Sequence, residues 1–120
     1  MGRVNDFSGE WQSFADCAIT RYMFVVTVYE PGGEYYSLVF EKHEVSIGRT
    51  EDNDIVLNDD SVSQRHGRIS LRGGKFILVD NNSTNGIYVN DCKVSAPMMI
   101  TGPDDIQIAN FVLQLSKIRK

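Results

Sequence analysis

A chain of 120 residues with 42% hydrophobic content has room for one domain around one core. Its 16 acids outnumber the 12 lysines and arginines, so a general basic field for nucleic acid is excluded and any anion must be held at a local site. No uninterrupted apolar run approaches the roughly 20 residues that span a bilayer, so no membrane partner is expected.

The N-terminus lacks the apolar centre of a secretory signal, which leads to the expectation of a cytoplasmic protein. Cys17 and Cys92 lie far apart and share no ligand-like spacing with His43 or His66, so no metal, no cofactor and no disulfide are expected.

In chain order, residues 1–21 read as an arm or short helix outside the main domain. Ser8 is a plausible N-cap, and Trp11, Phe14, Ala15 and Ala18 recur at helical spacing. Residues 22–120 read as one domain. From Tyr22 the chain consists of short β-branched and aromatic runs broken by turn residues: 22–29, 35–41, 44–48, 54–57, 67–71, 75–80, 86–89, 97–100, 105–109 and 111–118. Pro31-Gly32-Gly33 between the first two makes them a hairpin. Ile69 and Leu71 oppose Arg68, Ser70 and Arg72, and Phe111, Leu113 and Leu115 oppose Val112, Gln114 and Ser116, so each strand buries one face. About ten or eleven short strands at this density give an all-β, two-sheet sandwich.

A sandwich places its connections at its two ends, where binding residues gather. The loops 48–53, 58–66 and 81–86 stand out. In "SVSQRHGRIS", Ser63 precedes His66 by three residues in a run without acids. As a catalytic pair they would need an orienting third group and oxyanion donors, and neither a nucleophile elbow nor a second suitable histidine is present. Catalysis is therefore not expected. As an anion site, a serine hydroxyl, the Arg49 guanidinium and loop amides are the donors a phosphoryl group requires. As plain structure, Ser63 could close a turn, Arg49 could be a solvated strand end, and Asn85-Gly86 is the strongest short hairpin signal.

The order of these motifs narrows the choice. "IGRTEDNDIVLNDDSVSQRHGRI" followed by "LVDNNSTNGIYVNDCKV" resembles the forkhead-associated (FHA) domain, a phosphothreonine-binding β-sandwich, over residues 22–118. The resemblance implies that Arg49 and Ser63 contact the phosphate with help from Thr84. It implies that Asn85 and Gln64 hold the ligand backbone, and that His66, Gly48 and Gly86 are structural. Arg65 is an additional cation beside the serine. The partner so implied is a threonine-phosphorylated protein, a substrate of a Ser/Thr kinase, and the chain would belong to a longer multidomain regulator. The other reading of the same fold is a phosphate-independent interaction or oligomerisation module. Two departures from the family pattern are Gly67, where alanine is more usual, and Asn110 in place of a late glycine.

Overall fold

The computed structural model describes residues 23–100 and 104–118. The helix or arm expected over 1–21 lies outside them. Among the described residues, eleven strands form two sheets. The first has the order β2 (Tyr35–Phe40), β1 (Phe24–Tyr29), β11 (Phe111–Lys117), β10 (Ile106–Ile108), β7 (Tyr88–Val89) and β8 (Cys92–Lys93). The second has the order β4 (Ile55–Val56), β3 (Glu44–Gly48), β5 (Gly67–Arg72), β6 (Lys75–Asp80) and β9 (Met98–Ile100). The sandwich expected from the strand pattern is the one observed.

Period-two alternation selects the core. Phe24, Val26 and Val28 of β1, Leu113 and Leu115 of β11, Val45 and Ile47 of β3, and Ile69 and Leu71 of β5 are all buried between the sheets. Each such side chain contributes roughly 1.5–3 kcal/mol relative to exposure. Phe24 anchors one end, its ring 5.3 Å from Phe76 of the opposite sheet in an edge-on contact and 5.7 Å from Phe40. The β1–β2 hairpin forms as expected, Tyr29 opposite Tyr35 around the Pro31-Gly32-Gly33 turn.

Three places differ from a local reading of the sequence. Ser70 is buried although it lies opposite the core face of β5, because its neighbours on the outer face of the sheet cover it. The β8 strand was not anticipated, because Cys92-Lys93 is too short and polar to signal itself; it pairs with β7 across the left-handed Asn90-Asp91 turn (φ 49° and 73°). Finally, Asn85-Gly86 does not close a hairpin. β6 and β7 belong to different sheets, so residues 81–87 cross from one sheet to the other, and Gly86 (φ 80°) turns the crossing. The hairpin rule fails there because it assumes that both flanking runs pair with each other.

Of the two family departures, the β10–β11 turn takes its positive φ at Ala109 (55°) rather than at Asn110. Gly67 sits where a Cβ would meet the Val79 carbonyl oxygen at 2.6 Å and Ile87 Cδ1 at 2.8 Å, so alanine would not fit here without a shift.

Candidate functional site

Three connections converge at one end of the sandwich: β3–β4, β4–β5 and the β6–β7 crossing. Their backbones are tied together first. The Arg49 N–H donates to the Ser63 carbonyl (3.0 Å), Leu57 N–H to Gly48 (2.9 Å), and His66 N–H to Ile47 (2.8 Å). Asn53 was not singled out by sequence, yet it is buried in the middle of this junction. Its amide donates to the Thr50 carbonyl (3.0 Å), the Thr50 hydroxyl (3.0 Å) and the Gln64 carbonyl (2.8 Å). A lone asparagine in an acidic loop gives no sequence signal for such a role.

The close approach of β3–β4 to β4–β5 explains Gly48. A Cβ there would lie 2.1 Å from the Gln64 carbonyl oxygen and 2.5 Å from Asn53 Nδ2. Only glycine lets the two loops meet.

His66 is fully buried and braces the serine loop. Its Nδ1 lies 3.0 Å from the Ser63 backbone nitrogen and accepts that N–H, so Nε2 carries the proton and donates to the Gly86 carbonyl at 2.8 Å. Both ring nitrogens are thereby used on backbone groups, and the Ser63 hydroxyl is not among their partners. A serine–histidine proton relay has no base in this arrangement. Replacing His66 by phenylalanine keeps the volume but strands the part-buried Ser63 N–H and the buried Gly86 carbonyl. A loss of about 2–3 kcal/mol is expected, measurable by urea denaturation.

Five of the other candidate residues, Arg49, Ser63, Gln64, Thr84 and Asn85, line a shallow depression of about 340 Å³ together with Asp60, Ser61 and Val62. All five residues assigned by resemblance to the phosphopeptide are among them. The Ser63 hydroxyl accepts the Thr84 N–H (3.0 Å), and the Asn85 amide donates to the Ser61 carbonyl (2.7 Å), so the crossing is stitched to the serine loop on both sides.

Electrostatics separates the arginines. Arg65 pairs with Asp52, and Arg68 with Glu44 (3.0 Å) and the Asn81 side chain (3.0 Å). Arg65 thus turns toward the acidic β3–β4 loop and does not line the depression. Arg49 differs: its Nε is buried without a hydrogen-bond partner, and among the described residues no carboxylate bridges it. Beside an open depression, this leaves Arg49 with hydrogen-bonding capacity that no group of the described residues uses.

The acids nearby are held ionised. A hydrogen bond from the Thr50 hydroxyl, together with the Arg65 charge, holds the Asp52 carboxyl below the usual aspartate range. The Ser61 hydroxyl and N–H do the same for Asp59. At Asp54 burial pushes the value up, but hydrogen bonds from Lys42 Nζ (2.8 Å) and the Ser46 N–H (2.9 Å) outweigh it and leave it lowered.

Because its folded value is lowered, the stability Asp54 contributes is present above the ordinary aspartate value near 3.8 and is lost as pH falls through the folded value. Asp54→Asn is therefore expected to cost about 1–2 kcal/mol at neutral pH. The variant and native curves should converge in acid, which unfolding measured from neutral pH down to about pH 2.5 would check.

Comparison with known proteins places this geometry in a family. The FHA domain model matches residues 45–109, just over half the chain. The chain is 41% identical over 75 residues to the glycogen accumulation regulator GarA of Mycolicibacterium smegmatis, covering 62% of this chain and 47% of that protein. It is 33% identical over 78 residues to the FHA domain-containing protein FhaB of Mycobacterium tuberculosis, covering 65% and 50% respectively. The chain thus spans about half the length of the curated relatives it matches.

Among solved structures, an FHA domain from a study of phosphothreonine-dependent FHA interactions superposes with a TM-score of 0.68 at 28% identity, over 82% of this chain and 99% of that one. EmbR of Mycobacterium tuberculosis, in complex with a low-affinity phosphopeptide, superposes at 0.67 with 27% identity, over 80% of this chain and 25% of that one. With its sandwich, its braced serine loop and its glycine-permitted loop contact, the chain belongs to the FHA domain family.

Proposed function

We propose that the chain reads phosphothreonine on a partner protein and performs no catalysis. The observation that carries this is the unpartnered Arg49 beside the Ser63 hydroxyl in one depression. A phosphothreonine brings about −1.5 to −2 charges and three acceptor oxygens near neutral pH. Arg49 supplies a charged donor to it and Ser63 a hydroxyl. Thr84 completes that side of the depression, while Asn85 and Gln64 offer amides to the extended ligand backbone.

Hydrogen bonds to a charged group are worth about 1.5–3 kcal/mol each before the costs of association. Two or three of them give micromolar affinity, near −8 kcal/mol. The threonine methyl takes a small apolar recess in the depression, which favours phosphothreonine over phosphoserine by about 1 kcal/mol. The partner is a substrate of a Ser/Thr kinase, and the module acts within a longer cytoplasmic regulator.

The experiment is calorimetric titration with peptide pools carrying phosphothreonine, phosphoserine or threonine at a fixed position. Saturable binding to phosphothreonine, weakened about fivefold or more for phosphoserine and absent for threonine, is expected. Equal binding to phosphorylated and unphosphorylated pools would transfer the role to a phosphate-independent module on the same fold.

A further inference from the structure

The four sheet-edge strands are not equally protected. β4, β8 and β9 are two or three residues long, whereas β2 is a six-residue edge, Tyr-Tyr-Ser-Leu-Val-Phe, without charge or proline. Long uncharged edges are the kind proteins normally blunt with lysine, proline or bulges. Tyr35 and Val39 are 70% and 58% exposed, the two most exposed large hydrophobics among the described residues.

The hydrogen-bond phase of β2 is fixed by its neighbours. Glu30 N–H donates to the Glu34 carbonyl (2.8 Å) at the hairpin end, and Ile118 N–H donates to the Met23 carbonyl (3.2 Å) on the far side of β1. With the β1–β2 register, Tyr36, Leu38 and Phe40 therefore bond to β1, and Tyr35, Ser37 and Val39 turn their N–H and C=O groups outward. Among the described residues nothing pairs with that outer edge.

We infer that this edge is a self-association surface whose occupant is the β2 strand of a second copy, antiparallel about a two-fold axis at Ser37. The sequence is self-complementary about that residue. Tyr35 falls opposite Val39 of the other copy, and Val39 opposite its Tyr35, aromatic against β-branched, a pairing sheets favour. Tyr36 falls opposite Leu38, and the two Ser37 residues face each other.

All the outward groups are then satisfied, and Tyr35 and Val39, the exposed apolar pair, cover one another. No like charges meet, although each copy carries a net charge of −4. A charged or irregular peptide matches this edge less well than the strand itself does. None of the β2 residues lines the Arg49 depression, so pairing leaves both sites open and yields a two-site assembly. So short an interface is smaller than those of stable complexes, which sets the dissociation constant on the order of 10 µM to 1 mM.

The test is sedimentation equilibrium of the full chain up to about 2 mM protein, with Val39→Lys and, as a second variant, Ser37→Lys, each shown to be folded by circular dichroism. A concentration-dependent dimer weakened about 30-fold or more by either folded variant is expected. A native protein that stays monomeric, or a folded variant that dimerises as well as native, would overturn the inference.

Register is tested separately in a background of Cys17→Ser and Cys92→Ser. Ser37→Cys lies on the axis, with Cα atoms about 5.5 Å apart across a hydrogen-bonded pair, and should oxidise to a covalent dimer. Leu38→Cys should not; cross-linking at Leu38 but not at Ser37 would contradict the pairing.

Discussion

Gly48→Ala is expected to destabilise the domain by about 4 kcal/mol or more, among the largest effects a single methyl can have. The added Cβ would sit 2.1 Å from the Gln64 carbonyl oxygen, which is backbone, and 2.5 Å from the Asn53 amide, which already holds that carbonyl. Neither neighbour can swing away as a long side chain would. Relief requires parting β3–β4 from β4–β5, which breaks the Arg49–Ser63 backbone bond and the Asn53 junction together. Chemical denaturation of the two proteins measures the difference, and a loss below about 1 kcal/mol would show that the loops accommodate the methyl.

Arg49→Ala is expected to weaken phosphothreonine-peptide binding at least 100-fold, about 3 kcal/mol, while leaving thermal stability unchanged or slightly raised. The two effects separate because the guanidinium Nε has no partner within the protein, so its removal breaks no internal bond and relieves a buried, unsatisfied donor. Arg49→Lys keeps the charge but loses the planar fork, and should recover only part of the affinity. Paired titration and melting of these variants check the claim. A large fall in melting temperature on Arg49→Ala would mean that the arginine is structural.

Much of the fold was legible because its strands obey a period of two. Phe111, Leu113 and Leu115 bury as that pattern requires, and Pro31-Gly32-Gly33 closes the hairpin it signals. What stayed hidden depends on contacts between segments distant in sequence. The Asn85-Gly86 crossing resembles a hairpin locally and is decided by which sheet each flanking strand joins. Ser70 is buried by neighbours on other strands, a fact its own alternation does not carry.

The site follows the same division. Arg49, Ser63, Gln64, Thr84 and Asn85 were marked out by the order of motifs, and they line one depression. The arrangement around them was not visible: the orphaned Arg49 nitrogen, the histidine committed to two backbone groups, and Asn53 at the loop junction. The histidine and the asparagine each reach a backbone group more than ten residues away, Gly86 and Gln64, and composition has no sign for it. Arg65 and Arg49 look alike in sequence, yet Asp52 takes one and nothing among the described residues takes the other.

The most direct test of where the phosphate is held is a two-dimensional amide NMR titration of the 15N-labelled chain with a phosphothreonine peptide. The largest shifts should fall on Arg49, Ser63, Gln64, Thr84 and Asn85, with the Arg49 Nε–H resonance moving as it gains its missing partner. Shifts centred on another face, or saturable binding with an unmoved Arg49 Nε–H, would contradict the assignment of this depression as the phosphothreonine site.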